Sequence, residues 1–319
     1  MQALVWHGGT RIELEELSGP RPQPAEVVFE VELAGICGSD LHAYRGHAGP
    51  RRPPLILGHE AVGKVGHLPG RFTVFPLMTC GDCRLCRSGQ ENLCKRRRLL
   101  GLDLPGVFAT HVVVPESALL ALPDGLDPRL AVLVEPLAAS LSAWRIDGVV
   151  PSDSVLVMGG GPIGLLAVWL CVRRGAEVTC VEPVAERRAL AKSFGAAAVL
   201  ASAAEVTSGA ADYALDAVGV EDTWRGAIAG VRPGGRVTLV GLGQAEGVMP
   251  AAEMVRRGIS VRGHYAYTRR DFQGALDFLA TNPLPLEWLT VMELGEGAEA
   301  FRRLVEQPSS VTKVLFSTA

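Results

Sequence analysis

Net charge, long apolar runs and internal repetition are all scarce in this 319-residue chain. Its formal charge is only −3, from 31 basic and 34 acidic side chains, so it has no general attraction to nucleic acid or to an anionic membrane. The one local exception, Lys95-Arg96-Arg97-Arg98, reads as a solvated face rather than a nucleic-acid patch. Apolar stretches such as Gly164 to Val172 stop well short of the roughly 20 residues a membrane helix needs. Met1 to His7 lacks a basic start followed by an apolar stretch, so no signal peptide is expected. The expectation is a cytoplasmic protein with neither nucleic acid nor membrane as partner. In a reducing compartment its seven cysteines read as metal ligands or buried thiols before disulfides.

What is present is globular: 48% hydrophobic and 20% charged residues exclude a disordered chain, and the length exceeds one hydrophobic core, so two domains are expected. The first third reads as β, with short strands at Leu4–Trp6, Ile12–Leu14 and Val27–Leu33 punctuated by Gly and Pro, and a further strand at Ala109–Val114. From about Val150 strands alternate with helices. Strands are expected at Val155–Met158, Glu177–Val181, Tyr213–Asp216 and Arg236–Val240, with helices at Ile163–Arg174, Ala185–Phe194 and Glu221–Gly230. That alternation predicts an α/β fold, a doubly wound parallel sheet covered on both faces. Beyond about Tyr267 a helix at Asp271–Ala280 and mixed short elements close the chain.

Gly159, Gly161 and Gly164 satisfy G-x-G-x-x-G directly after an apolar strand and at the start of a helix. In that context the first glycine makes the tight turn, the second admits the pyrophosphate, and the third lets helix pack on strand, with Pro162 and Ile163 opening the helix. The diphosphate would rest on the helix N-terminus. Glu182, at the end of the second strand, would accept hydrogen bonds from the adenosine ribose and repel a 2′-phosphate, favouring NAD over NADP. Arg187, five residues on, would reach the adenine ribose side or face water.

Cys80, Cys83, Cys86 and Cys94 are spaced C-x2-C-x2-C-x7-C. Four thiolates so close in sequence can close a tetrahedron around structural zinc, with an iron–sulfur cluster as the main rival. A second polar cluster combines Cys37, Ser39, Asp40 and His42 with His59 and Glu60. A thiolate and an imidazole suit zinc, and Glu60 and Glu135 are candidate oxygen ligands. Three protein ligands would leave an exchangeable position, as catalytic zinc requires.

Gly35 to Asp40, Gly58-His59-Glu60, the four-cysteine lobe, Val134-Glu135-Pro136, Gly159 to Gly164 and Lys313-Val314 fall in one order, and together the chain resembles the zinc-containing medium-chain dehydrogenases nearly end to end. No cysteine lies between Cys94 and Cys171, so the similarity is to the polyol and threonine dehydrogenase branch. The resemblance implies a β-rich GroES-like catalytic domain in residues 1–142, completed by 268–319, around an NAD-binding Rossmann domain in 143–267. It implies two zinc ions per chain. One is catalytic, on Cys37, His59 and Glu60, with Glu135 ligating or hydrogen-bonding beside it; the other is structural, on the four-cysteine lobe. Ser39 and His42 match the family's proton relay. A small-molecule secondary alcohol, a polyol, sugar or hydroxy amino acid, is the expected substrate, and a homo-oligomer, dimer or tetramer, the expected assembly. A zinc-free quinone reductase should lack both cysteine sets, and a non-catalytic NAD-binding relative would not need the relay. The segment between Gly63 and Cys80 is shorter than the family pattern.

Overall fold

In the computed structural model, residues 1–47, 49–309 and 311–318 are described. The chain forms two compact units, Met1–Pro136 with Thr268–Ala319, and Leu137–Tyr267. Among the described residues no helix is long and apolar enough to cross a membrane.

The second unit is a six-stranded, all-parallel sheet in the order Ala198–Leu200, Glu177–Val181, Ser154–Met158, Ala211–Asp216, Val231–Leu239, Ser260–Gly263. This is the doubly wound Rossmann order, in which the strand sequence reverses beside the first strand and ligands bind at the carboxyl ends there. Val155 to Met158 are buried throughout, as strands covered on both faces require. The helix of the glycine-rich turn, Pro162–Arg173, buries every residue from Gly164 to Cys171, so its packing against the sheet outweighs any amphipathic stripe.

The first unit is built on a seven-stranded sheet. Its central strand, Glu26–Gly35, pairs antiparallel with Glu60–Val65, His111–Pro115 and the C-terminal strand Lys313–Ser317. Leu289–Glu293 and Lys313–Ser317 run parallel and are joined through the crossover helix Gly297–Glu306. Phe301 of that helix meets Tyr44 and Phe108 at 5.3 and 6.1 Å between ring centroids, and Phe316 meets Phe108 at 5.1 Å. The C-terminal segment from Thr268 is therefore part of the N-terminal unit rather than an appendage. The short segment after Gly63 is a hairpin, with Val65 paired to Leu68 across Gly66-His67.

Candidate active site and metal centres

Cys37, His59 and Glu60 come together in the first unit, with one ligand atom from each lying within 4.8 Å of the others. Sheet register explains the meeting. Glu60 pairs with Gly35, Gly35 pairs with Leu315, and Cys37 follows two residues after Gly35, as the cap of the Gly38–Tyr44 helix. Gly35 has to be glycine, because a Cβ there would stand 2.1 Å from Glu60 Oε2 and 2.9 Å from Val132. His59 is 4% exposed and Glu60 1%.

The electrostatics of this group fit a cation. Glu60 Oε1 is buried without a hydrogen-bond partner, a costly state unless something else satisfies it. Burial first, then the charges of Glu60 and Asp40, pushes the Cys37 thiol up to about 11, so a nearby cation is needed to favour its thiolate. Lys313, 1% exposed, supplies the local countercharge: its Nζ donates to Glu60 Oε2 at 2.5 Å and to Ile36 O at 2.8 Å. Glu60 therefore keeps one oxygen for a metal while the other is held by Lys313. Glu135 stands in the first turn of the Val134–Ile146 helix and lies outside the three-residue group.

Beside this group, Asp40 is fully buried. Its Oδ2 accepts the Cys37 N–H at 3.0 Å, and its Oδ1 lies 3.9 Å from His59 Nδ1 and 3.5 Å from Arg51 Nη2. A carboxylate behind a metal-ligating histidine orients the ring and raises its basicity. Ser39 and His42, three positions apart on one helix, share a face, and both are half-buried. His42 is held below the ordinary imidazole range by burial first, then by the positive charges of Arg45, His47 and Arg51.

Cys80, Cys83, Cys86 and Cys94 form the second group. Their Sγ–Sγ separations include 3.4 Å (Cys94–Cys80), 3.5 Å (Cys83–Cys86), 3.7 Å (Cys80–Cys86) and 3.9 Å (Cys83–Cys94). A tetrahedron with zinc–sulfur bonds of about 2.3 Å has edges of about 3.8 Å, so the four sulfurs stand as a single zinc ion requires. They are too far apart for disulfides and too close to enclose a multi-iron cluster. Burial, then Cys83 and Cys80, pushes the Cys86 thiol up to about 11, and a metal must displace that proton. Part of the neighbouring basic run serves the lobe itself: Arg96 pairs with Asp82, and Arg97 donates to Cys94 O at 3.1 Å.

In the second unit, Gly159 at φ +98° makes the turn out of the first strand. A Cβ on Gly164 would strike Gly159 O at 1.8 Å, whereas one on Gly161 would meet nothing within 4 Å. Close helix packing thus fixes the third glycine, while the backbone at the second is open to a ligand's approach. Gly161 caps the helix and Pro162 opens it. Glu182, 4% exposed, braces this loop: Oε2 accepts Gly160 N–H at 2.7 Å and Oε1 accepts Val184 N–H at 2.9 Å. Arg188, next to Arg187, donates to Glu182 O at 2.8 Å and Pro183 O at 2.7 Å.

Neither Arg51 nor the pairing role of Lys313 is visible in the sequence. A basic residue in an Arg-Arg-Pro-Pro loop carries no motif, and Lys313 reaches Glu60 only because the last strand closes the sheet.

Residues 23–124 match the alcohol dehydrogenase GroES-like domain and residues 162–281 the zinc-binding dehydrogenase domain. L-threonine 3-dehydrogenase of Pyrococcus horikoshii is 34% identical over 256 residues, which is 73% of each chain. Sorbitol dehydrogenase of Halalkalibacterium halodurans is 33% identical over 88% of each chain. The structure of an alcohol dehydrogenase from Thermus sp. ATN1 superimposes with a TM-score of 0.93 at 31% identity, covering 100% of both chains. The combination of GroES-like and Rossmann units, two cysteine-containing ligand sets and these relatives makes the chain a dehydrogenase belonging to the zinc-dependent medium-chain alcohol dehydrogenase family.

Proposed function

We propose that this enzyme oxidises a secondary alcohol on a small polar substrate, a polyol, sugar or hydroxy amino acid, with NAD as its preferred acceptor. The observation that carries the reading is the convergence of Cys37, His59 and Glu60, with Glu60 Oε1 buried and unpartnered. Zinc bound there would supply Lewis-acid polarisation of the substrate oxygen, and the nicotinamide would accept the hydride. Cys37, His59 and Glu60 would hold the ion. Asp40 steadies the His59 ring, and Lys313 fixes the Glu60 carboxylate. Glu135 completes the ligand set or accepts a hydrogen bond beside it. Ser39 takes the alcohol proton and His42 passes it to solvent.

In the same proposal residues 1–142 and 268–319 handle metal and substrate, residues 143–267 handle the dinucleotide, and the four-cysteine lobe holds a second, structural zinc. The enzyme works as a homo-oligomer in the cytoplasm, a compartment that suits its seven free cysteines. The test is NAD reduction by zinc-replete enzyme across polyols, sugars, acyclic diols and L-threonine. Turnover of at least one is expected; none from any class would reject the reading.

Glu182 sets cofactor choice. Its carboxylate lies beside the glycine loop and would oppose a phosphate carrying a charge of about −1.5 to −2. Like charges brought together cost several kcal/mol, so kcat/KM is expected to favour NAD over NADP by at least about a hundredfold. Glu182→Ala should narrow that ratio and weaken NAD itself, because it also removes the brace on Gly160. Equal use of both cofactors by the wild type would contradict this.

His42 gives the pH signature. Its depressed pKa keeps the ring neutral, and able to accept a proton, at neutral pH. As pH falls through that value the ring charges and stops accepting, so the acid limb of the alcohol-oxidation rate should lie below the ordinary histidine value of about 6.5. His42→Ala should lower the rate about ten- to hundredfold, because water bypasses part of a relay that is otherwise worth about 10²–10⁴-fold. Added imidazole should restore part of the loss. A loss that tracks melting temperature and resists imidazole would assign His42 a packing role only.

A further inference from the structure

Arg51 lies in the loop between the Gly38–Tyr44 helix and the Leu55–Ile56 strand, yet is only 5% exposed. A guanidinium that leaves water must find acceptors for its N–H groups. Nε donates to Gly101 O at 2.9 Å, and Nη2 donates to Ser39 Oγ at 3.2 Å and lies 3.5 Å from Asp40 Oδ1. The anchor is rigid: Gly101 packs so closely that a Cβ on it would stand 2.6 Å from Gly58 N, one residue before His59. The arginine therefore ties the helix that carries Ser39 to the backbone leading into His59.

We propose that Arg51 is a positioning residue for proton release, acting through Ser39 by fixing the direction in which its hydroxyl accepts and donates. The proposal rests on the assignment of Ser39 as the hydroxyl that meets the substrate. A serine hydroxyl has one O–H and two lone pairs, and a guanidinium can only donate. With one lone pair taken by Arg51, the O–H must point away from it, and one lone pair remains for the alcohol proton. The alcohol O–H then breaks as a new bond to Ser39 Oγ forms, and the former Ser39 proton moves to the neutral His42 ring. The substrate C–H electron pair leaves with its hydrogen as hydride to the dinucleotide, and the oxygen pair closes the carbonyl. Without Arg51 the Ser39 rotor is free, and this ordered transfer competes with unproductive orientations. Arg51 also adds its charge to those that keep His42 neutral, which supports the same direction of transfer.

The test is a double-mutant cycle of Arg51→Ala and Ser39→Ala on the zinc-loaded enzyme. Zinc content, melting temperature and NADH affinity are measured beside kcat and KM. Misplacing a reacting group costs up to about a hundredfold, so Arg51→Ala should lower kcat about ten- to hundredfold while KM moves by about threefold or less. Added guanidinium, well below denaturing concentration, should restore several-fold activity to Arg51→Ala and none to the double variant. In the Ser39→Ala background, Arg51→Ala should cost little more, because the residue acts through that hydroxyl. Fully additive losses, or a loss accounted for by zinc content or stability, would overturn the proposal. If Arg51→Ala is poorly folded, Arg51→Lys replaces it in the cycle and must show the same non-additivity. A wild type that oxidises no alcohol would instead refute the proposed function itself.

Discussion

Cys37→Ser is expected to lower kcat/KM for alcohol oxidation at least about 10³-fold, since Lewis-acid stabilisation of the reacting oxygen is worth several kcal/mol and each 1.36 kcal/mol is tenfold in rate. NADH binding should be nearly unchanged. The glycine turn, the Glu182 brace and the parallel sheet all belong to the second unit, whereas Cys37 belongs to the first. Stability should change little, because Ser preserves the volume and the Cys37 backbone N–H bond to Asp40 is untouched. Fluorescence titration with NADH, thermal melting and steady-state kinetics on one preparation check all three parts. Retention of more than about a tenth of the activity would remove Cys37 from the metal set.

Cys86→Ser should produce the opposite profile. Regular structure in the lobe from Cys80 to Cys94 is slight: a four-residue helix, Arg84–Arg87, and a three-residue turn, Glu91–Leu93. The lobe has few buried apolar side chains, so ligand bonds supply the order that a core supplies elsewhere. Structural zinc binding contributes about 10–16 kcal/mol in isolated zinc modules, against a total stability of about 5–15 kcal/mol for a whole domain. Losing one thiolate should therefore unfold the lobe locally and lower the melting temperature by roughly 10 °C. Glu91 Oε1 accepts the Arg269 N–H at 2.9 Å, so the start of the Arg269–Thr281 helix should lose amide protection along with the lobe. Equal stability losses in Cys86→Ser and Cys37→Ser would abolish the division between structural and catalytic sites.

The Rossmann unit was nearly transparent in the sequence because its signals are local. The helix expected at Glu221–Gly230 spans those residues, the strand at Glu177–Val181 likewise, and the helix after the glycines begins one residue earlier than expected, at Pro162. The first unit was only partly legible because its decisive pairings are distant. The C-terminal strand is a five-residue run, Lys313–Ser317, and its antiparallel partner residue for Leu315 is Gly35. No spacing rule connects those positions, yet their pairing delivers Lys313 to Glu60. The 13-residue helix Val134–Ile146 and the crossover helix Gly297–Glu306 were likewise not expected. Glu182 shows a subtler limit. An acid at a strand end was visible, but not that both its oxygens already accept backbone N–H groups, one of them 22 residues upstream.

Whether the chain carries one open and one closed metal centre is decided by counting zinc in freshly prepared, unchelated protein and in its two cysteine variants. Two zinc ions per chain are expected in the wild type. Cys37→Ser should lose one with the fold retained, and Cys86→Ser should lose the other with the lobe unfolded. One zinc or none in the wild type, or loss of the same ion in both variants, would contradict that expectation.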